Sequence, residues 1–546
     1  MRNTWERSGK IAVSTSLLLF SLLLLHGRLI VSYEGVFKIY GWSGVGALAL
    51  AILGTLMLIK GNSKYTPVGV TAVVLLMFLP QFLAKLPIFT FVYRIYGHVL
   101  YVMQTGHINP DLPSLRYQTW PGIMLMGALI NYESNVGVFL LLTLPLLFYV
   151  SVVPLVYYFL LSIVRLSKEH SWLGMLFFIF SFYGFMWFVP GSLATLIKAV
   201  GMYILLKLLL RNIPPTVEIK TTLGIMTIAI IISHFLTSMF WFVFLIDVLV
   251  LSYLWRKKEL SSTLVSLTVL FIVFQFYWLF SYTYPIYLLK QKMSEFIAIS
   301  KATSATERWT RYATVGRTPY AQVLRIKAYF VYLIIILGFL GTMLSITVRE
   351  HRKTVIVLLV IIASYIIGIP AIAGGYGGEV ASRLLTQLRY LLAILVAISF
   401  LARSRLGEIY RKTLIALLLV LLMLQVYCTY GNLVMDYVAP NEIEGVFYAS
   451  SHLPGTMYVI SDPIWDISPR FLTGSWRIII PIRFAKHVRK GYFILSERII
   501  KGYEFMHGAP PPNFNETAIV LKGNIVYCSS NGYPHAHSTF RVVKIG

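Results

Sequence analysis

The sequence predicts an all-α polytopic membrane domain followed by a small α/β domain, and three observations carry this prediction. Hydrophobic residues make up 58% of the 546 residues, charged residues make up only 12%, and the mean hydropathy is +0.75. A soluble domain cannot carry so apolar a composition on its surface. Long apolar runs recur from residue 11 to residue 430, and hydropathy falls after that point. The chain is therefore predicted to divide into a membrane domain, 1–430, and a second domain, 431–546.

About thirteen of the apolar runs are long enough to cross the hydrocarbon core of a bilayer as helices. We expect these transmembrane helices at residues 11–31, 41–59, 67–86, 136–161, 172–188, 193–210, 221–233, 236–254, 262–280, 328–347, 354–373, 384–402 and 413–430. The run at 221–233 is short and the next run follows almost at once. The count therefore depends most on how this pair is divided.

The positions of Lys and Arg predict which helix ends are cytoplasmic, because cytoplasmic connections are enriched in these residues. If the N-terminus is cytoplasmic, every second connection is basic. The basic connections carry Lys60 and Lys64; Arg165 and Lys168; Arg211 and Lys220; Arg256, Lys257 and Lys258; Arg349, Arg352 and Lys353; and Arg403, Arg405, Arg411 and Lys412. An odd number of helices then puts residues 431–546 outside, so the sequence predicts an integral protein of the cell membrane with an external C-terminal domain.

The formal net charge of +26 raises the question of a nucleic-acid partner. The basic residues are scattered over many connections and form no single patch, which argues against nucleic-acid binding. Loop residues that orient helices and contact anionic membrane lipid explain the charge better. Cys428 and Cys528 are too few for a metal or disulfide framework, and two free thiols are favoured over a disulfide between them.

Two of the predicted external connections are long, at about 87–135 and about 281–327. Connections of this length are commonly functional. The second contains only two acidic residues, Glu295 and Glu307, against eight basic ones: Lys290, Lys292, Lys301, Arg308, Arg311, Arg317, Arg325 and Lys327. This excess runs against the usual distribution of charge, which places basic residues on the cytoplasmic side. An anionic ligand on the outer side is the simple explanation.

The first long connection contains Asn109-Pro110-Asp111-Leu112-Pro113, which predicts a break between two interfacial helices. Non-helical backbone at membrane depth must be buried in protein or line a wet cavity. The candidate groups here are Arg94, His98, His107 and Arg116, with Asp111 as the carboxylate. The alternative is that Asp111 caps a turn and that the two arginines extend to lipid headgroups.

Three further candidate ligand-binding residues lie at outer helix ends. His234 falls between two predicted helices in the stretch ISHFLTS, and Glu379 and Arg383 precede the helix predicted at 384–402. Ionisable groups in such places often line a pathway. The alternatives are a hydrogen-bonded interfacial histidine at position 234 and a simple ion pair between Glu379 and Arg383.

The region after residue 430 is predicted to contain short β-strands. We expect strands at 456–462, 491–497, 517–528 and 539–545, where β-branched and aromatic residues are bounded by turns rich in Pro and Gly.

A resemblance to a known family is carried by four stretches: YGHVLYVMQTGHINPDLPSLRYQTWPGIMLMGALI, FVPGSLATLIKAVGMYILL, ISHFLTSMFWF and RLLTQLRYLLAI. They resemble, in order, the first long external loop, the helix after the short second external loop, a His-containing helix start and an Arg-containing late helix of the GT-C superfamily. This superfamily of integral membrane glycosyltransferases includes oligosaccharyltransferases and protein mannosyltransferases, and the likeness is greatest to its archaeal members. NIVYCSSNGYPHAHSTFRV also resembles the terminal strand pair of their external domains.

The resemblance implies a GT-C fold that transfers a sugar from a polyprenyl-phosphate-linked donor to an acceptor on the outer face. In the family, an acidic residue in the first external loop serves as general base or metal ligand, so a divalent cation is the cofactor that the resemblance leaves open. Here the matching place holds Tyr93 or Arg94, and no acid lies between Pro87 and Asn109.

We therefore expect Asp111 to supply the catalytic carboxylate. One carboxylate that accepts the proton of the acceptor, with cations that hold the departing phosphate, is sufficient for this chemistry. Arginine suits bidentate contact with phosphate. The arginines expected to hold the phosphate are Arg308, Arg311, Arg317 and Arg383.

Two other functions compete with the glycosyltransferase. The first is a catalytically silent GT-C relative, acting as a lipid-binding or scaffolding subunit, which the missing family acid favours. The second is a transporter or lipid flippase, which is disfavoured because the sequence shows no internal repeat.

Overall fold

The computed structural model shows packed helices followed by five short strands. It describes residues 2–27, 29, 36–84, 87–88, 90–109, 118–181, 188–281, 318–373, 378–431, 444–445, 448, 452–453, 457–459, 479–481, 491–496, 524–530 and 539–545.

The longer helices are numbered here along the chain. They are α1 (Arg2–His26), α2 (Val36–Lys60), α3 (Thr66–Met77), α4 (Leu79–Leu83), α5 (Thr90–Thr105), α6 (Gly122–Ser134), α7 (Gly137–Val164), α8 (Lys168–Ser181), α9 (Pro190–Arg211), α10 (Val217–Ser233), α11 (Phe235–Leu254), α12 (Lys258–Phe280), α13 (Pro319–Ile346), α14 (Arg352–Ala373), α15 (Gly378–Ser399) and α16 (Arg405–Tyr430). Helix α7 alternates between 3-10, α and π geometry, and a 3-10 turn, Arg349–His351, precedes α14.

Every predicted transmembrane helix falls on a helix of the structure. Within the described ranges, nine helices are long and apolar enough to cross a membrane, which fits an all-α polytopic membrane protein. Helices α3, α8, α10 and α15 account for the four remaining predictions. Helices α5 and α6 flank the predicted break in the first long connection, but residues 110–117 lie outside the described residues and the interfacial position of the two helices stays a prediction.

Helix α13 begins earlier than expected. The predicted start was residue 328, whereas the helix starts at Pro319. Thr318 caps it, because its side-chain oxygen accepts a hydrogen bond of 3.2 Å from the Ala321 amide, and Pro is favoured in the first turn. Arg325 and Lys327 therefore belong to a helix and not to the long basic connection.

The connections predicted to be cytoplasmic lie together at one end of the helices. Arg211, at the end of α9, donates a hydrogen bond to a carbonyl near the end of α7. Lys257, between α11 and α12, donates one to the carbonyl of Leu209 in α9. The Nζ atom of Lys353, at the start of α14, lies 4.3 Å from the centre of the Trp255 ring. The connections after α7, after α9 and after α11 are thus neighbours of one another and of the connection before α14.

The remaining basic connections lie at the same end. The rings of His170 and Phe400 are 5.8 Å apart, which joins the connection before α8 to the one before α16. Tyr40 in α2 and Tyr430 at the end of α16 have ring centres 6.5 Å apart, so these packed helices of similar length run antiparallel. Lys60, at the other end of α2, consequently lies beside the start of α16. This gathering of basic connections agrees with the predicted alternation; the side of the membrane that it faces stays a prediction.

Several helices at this end close through a residue with positive φ. These residues are Asn62 (φ 48°), Arg165 (φ 68°), Asn212 (φ 56°) and Arg256 (φ 55°). At the end of α11, the amide of Lys257 donates to the Ser252 carbonyl at 2.8 Å, and the amide of Arg256 donates to the Tyr253 carbonyl at 2.9 Å. This pair of hydrogen bonds is a Schellman motif, in which glycine usually occupies the left-handed position. Arginine holds that position here.

Residues after 456 contribute one five-stranded sheet with the order β2-β1-β3-β5-β4. The strands are β1 (Met457–Val459), β2 (Ile479–Pro481), β3 (Gly491–Ser496), β4 (Asn524–Ser530) and β5 (Thr539–Ile545). β1 is parallel to β2 and β3, and β5 is antiparallel to β3 and β4. Four strands overlap the predicted ones, and β2 was not predicted. The connections between the parallel strands lie outside the described residues, so the α/β character of this domain stays a prediction.

Candidate functional site

The stretch that follows the predicted break at Asp111 is in direct contact with the stretch ISHFLTS. Helix α6 begins at Gly122, after Trp120 and Pro121, and packs onto Ser233, the last residue of α10. A Cβ atom at position 122 would lie 2.4 Å from the Ser233 side-chain oxygen and 3.2 Å from its Cα atom. Only glycine allows this approach without movement of the neighbouring helix. The start of α6 is therefore fixed against the break between α10 and α11.

His234 forms that break. Its backbone is extended (φ −166°, ψ 121°), which ends α10 and starts α11. Its Nδ1 atom accepts a hydrogen bond of 3.2 Å from the Thr237 amide and lies 3.0 Å from the Thr237 hydroxyl oxygen. The ring thus caps α11, and with Nδ1 as acceptor a neutral ring carries its proton on Nε2. This capping matches the hydrogen-bonded alternative for His234, and a role in substrate binding stays a prediction.

The last turn of α12 meets the same place. The indole nitrogen of Trp278 donates a hydrogen bond of 2.9 Å to the Thr119 carbonyl, three residues before α6. Helices α11 and α12 run antiparallel, as the Ser238 hydroxyl donates to the Gln275 side-chain oxygen at 3.0 Å. We call the contact formed by Thr119, Gly122, Ser233, His234 and Trp278 the junction.

The junction also holds one edge of the break that contains Asp111. The Asn109 amide donates a hydrogen bond of 2.6 Å to the side-chain oxygen of Gln118, which is fully buried. This hydrogen bond therefore holds Asn109 and Gln118, which flank residues 110–117, next to each other and beside Thr119. Asp111 and Arg116 themselves lie outside the described residues.

The other predicted phosphate-binding groups also fall beyond the described part. Arg308, Arg311 and Arg317 lie between 281 and 318, and the described residue Ser281 follows the last turn of α12. Glu379 and Arg383 lie in the first turns of α15, and their side chains are not described. The long basic connection thus starts close to Trp278, and hence close to the junction.

Arg94 and His98 lie on α5, which packs against α6. Arg94 is half-buried, whereas His98 is completely buried. Tyr93, one of the two residues expected at the place of the acid in the family that the sequence resembles, is also fully buried, and its hydroxyl donates to the Pro87 carbonyl at 2.8 Å. These residues belong to the packed interior, on the helix that packs against α6. Substrate binding by Arg94 and His98 stays a prediction.

Sequence reasoning missed a buried lysine. Lys198, in the middle of α9, is fully buried, and its Nζ atom donates to the Tyr365 hydroxyl at 3.4 Å. The same Nζ atom lies 5.2 Å from the ring centre of Tyr365 and 5.7 Å from that of Phe240. Asp247 is also buried, and its carboxylate accepts a hydrogen bond from the Ser364 hydroxyl. A lysine in the middle of an apolar run was the signal that could have identified Lys198.

The stretch RLLTQLRYLLAI contains a second buried basic residue that the sequence did not identify as a candidate. Arg389, in α15, is 2% exposed. Arg389 and Lys327 of α13 both lie near the thiol of Cys428, a buried free cysteine. Basic side chains therefore reach the interior between α13, α15 and α16.

No metal centre can be assigned among the residues that the structure describes, since no three His, Cys, Asp or Glu side chains come together there. Comparison with protein-family models found no matching family, and comparison with curated proteins found no similar protein.

Proposed function

We propose that the chain is a glycosyltransferase of GT-C type that transfers a sugar from a polyprenyl-phosphate-linked donor to an acceptor. In this proposal the basic helix ends are cytoplasmic, the junction lies at the outer face of the cell membrane, and residues 431–546 form an external α/β domain. The assignment follows the positive-inside rule together with the resemblance of the quoted stretches.

One observation carries the proposal. The hydrogen bond between Trp278 and Thr119 joins the start of the long basic connection to the flank of the break that contains Asp111. Transfer from a lipid-linked donor needs a carboxylate and a cluster of cations around one bound phosphate. The contact supports this arrangement, because both long connections leave the helices at the same place.

The chemistry assigns separate tasks to these segments. Asp111 takes the proton of the acceptor hydroxyl or amide as the acceptor attacks the anomeric carbon of the sugar. The bond from that carbon to the phosphate oxygen breaks, and the departing polyprenyl phosphate is stabilised by Arg308, Arg311, Arg317 and Arg383. A divalent cation fits the same chemistry and would share the task of holding the phosphate.

A catalytically silent relative is the second candidate, and one observation favours it. Among the described residues, no carboxylate contributes to the junction. The only acid of α6, Glu133, is exposed in its last turn, and Asp247 lies more than three turns into α11. If Asp111 does not face the site, the protein can bind a lipid phosphate there without transferring a sugar.

Binding of a polyprenyl phosphate tests the basic connection. We expect the variant Arg308→Gln/Arg311→Gln/Arg317→Gln to bind it at least tenfold more weakly than the wild type at low salt. The measurement is made at low salt because salt screens the attraction between surface charges. The variant Lys290→Gln/Lys292→Gln/Lys301→Gln removes the same charge from the same connection and is the control. Equal binding by the wild type and the arginine variant would show that the three arginines are ordinary surface charges.

A further inference from the structure

At the basic end of the helices, two lysines share one aromatic ring. Trp255, which follows α11, is half-buried. The Nζ atom of Lys353 lies 4.3 Å from the centre of its ring, and that of Lys257 lies 5.9 Å from it. Both distances are within the reach of a cation–π interaction. Two positive charges from different parts of the chain thus meet at one indole.

The backbone holds these groups in place. The Schellman motif that ends α11 fixes Arg256 in the left-handed conformation and directs Lys257 toward α9. There the Nζ atom of Lys257 donates a hydrogen bond to the carbonyl of Leu209, in the last turn of that helix. Arg256, which lies between Trp255 and Lys257 in the chain, is exposed and brings a third positive charge to this connection. The cluster is therefore built by three helix ends and is not a chance approach of flexible side chains.

Within the described part of the chain, no acid forms an ion pair, of 4 Å or less, with either lysine of the cluster. Elsewhere lysines pair with acids one helical turn away, at Lys10–Glu6 and Lys412–Glu408. Neither Lys257 nor Lys353 forms such a pair. Burial, and then the charge of Lys353, lower the pKa of Lys257 to about 8. An anion bound at this place would favour the charged form of Lys257.

We propose that Trp255, Arg256, Lys257 and Lys353 bind the phosphate of an anionic membrane phospholipid. The cluster lies where α11 ends and where α12 and α14 begin, and these three helices are apolar enough to cross a membrane. Helix ends of this kind lie at the level of the lipid headgroups, where Trp is favoured and where Lys and Arg attract anionic lipid. The indole contacts the glycerol region while the three cations surround the phosphate.

Native mass spectrometry of the full chain in detergent tests the site, with phosphatidylglycerol as the probe and phosphatidylcholine as the neutral lipid. We expect the wild type to prefer phosphatidylglycerol, and Lys257→Gln/Lys353→Gln to bind it about tenfold more weakly or worse. The control Lys10→Gln/Lys412→Gln removes two charges that already have partners. It should bind like the wild type.

Two further measurements separate the site from its alternatives. Arg256→Gly removes a charge but suits the left-handed position better, so it should weaken phosphatidylglycerol binding without lowering thermal stability. The proposal is wrong if Arg256→Gly and Lys257→Gln/Lys353→Gln both bind phosphatidylglycerol like the wild type. It is also wrong if the control Lys10→Gln/Lys412→Gln loses as much binding as the lysine variant. Excess inorganic phosphate should leave the lipid bound; displacement of phosphatidylglycerol by phosphate would show that the site recognises the free ion.

Discussion

The indole nitrogen of Trp278 donates a hydrogen bond of 2.9 Å to the carbonyl oxygen of Thr119, a residue 159 positions earlier in the chain. Thr119 lies within the first of the two long connections that the sequence marks as functional, and Trp278 lies just before the second. Their contact means that the two connections leave the helices side by side. The junction is thus the part of the fold on which the proposed function depends.

Trp278→Phe tests how firmly the junction is held. The change keeps an aromatic ring but removes the donor, so we expect a loss of about 1 kcal/mol in the free energy of unfolding. Denaturant titration of the protein in detergent micelles measures it. Trp42→Phe is the control, because the Trp42 side chain is 79% exposed. Equal stability of both variants would contradict a structural role for the hydrogen bond.

Gly122→Ala tests the close approach of α6 to α10. The added Cβ atom would lie 2.4 Å from the Ser233 side-chain oxygen, so we expect a destabilisation of about 1–3 kcal/mol. Combining it with Ser233→Ala should restore part of this loss, which a double-mutant cycle measures. Gly46→Ala is the matched control, since a Cβ atom at position 46 meets nothing within 4 Å and Ala favours a helix. An equal effect of both glycine variants would rule out the predicted clash.

The orientation in the membrane is tested by cysteine-accessibility labelling. We expect single cysteines at positions 64, 165, 256 and 403 to react from one side of the membrane, and a cysteine at position 491 to react from the other. The first four lie in connections that the structure gathers at one end. A cysteine at position 491 that reacts from the same side as the four would contradict the predicted topology and the outer location of the junction.

The pKa of Lys257 makes a pH-dependent contribution to stability. Its folded-state pKa, about 8, is below the ordinary value of 10.5, so between these values the unfolded chain binds more protons at this site. Stability from this group therefore rises with pH across that window. The charged group that acts on it is Lys353 from α14, and its neighbours in the chain are Arg256, Lys258 and Glu259.

Lys353→Gln should raise the pKa of Lys257 part of the way toward its ordinary value, because it removes the second cause of the shift and leaves burial unchanged. Nuclear magnetic resonance titration of isotope-labelled lysine side chains measures this pKa. Lys412→Gln, which removes a lysine paired with Glu408, should leave it unchanged. An unchanged pKa in Lys353→Gln would mean that the two ammonium groups do not interact.

The helices and their alternation could be predicted because each apolar run and each basic connection is a local feature of the sequence. The start of α13 was missed although Thr318-Pro319 is a local signal, since hydropathy alone placed that start. Strand β2, Ile479–Pro481, has only three residues and so gives no periodic pattern. These errors concern boundaries and short elements.

The contacts that build the junction could not be predicted in the same way. The fit of Gly122 against Ser233 depends on two residues from separate helices, and neither position is unusual by itself. The same holds for Lys198 and Tyr365, which lie 167 residues apart. Hydropathy describes each helix alone, whereas the packing angle and register of helix pairs decide such contacts.

Sugar transfer by Asp111→Asn tests the central claim most directly. The full chain, reconstituted in lipid vesicles, is supplied with a polyprenyl-phosphate-linked sugar and a mixture of peptide and glycan acceptors, and the release of polyprenyl phosphate is followed. The change keeps the size of the side chain but removes the base, so the rate should fall by about a hundredfold or more, while binding of the donor is retained. Glu133→Gln, which alters an exposed acid of α6, should act like the wild type. Transfer by Asp111→Asn at the wild-type rate would contradict the role of this carboxylate, and a wild-type protein that binds the donor but transfers no sugar would be the silent relative instead.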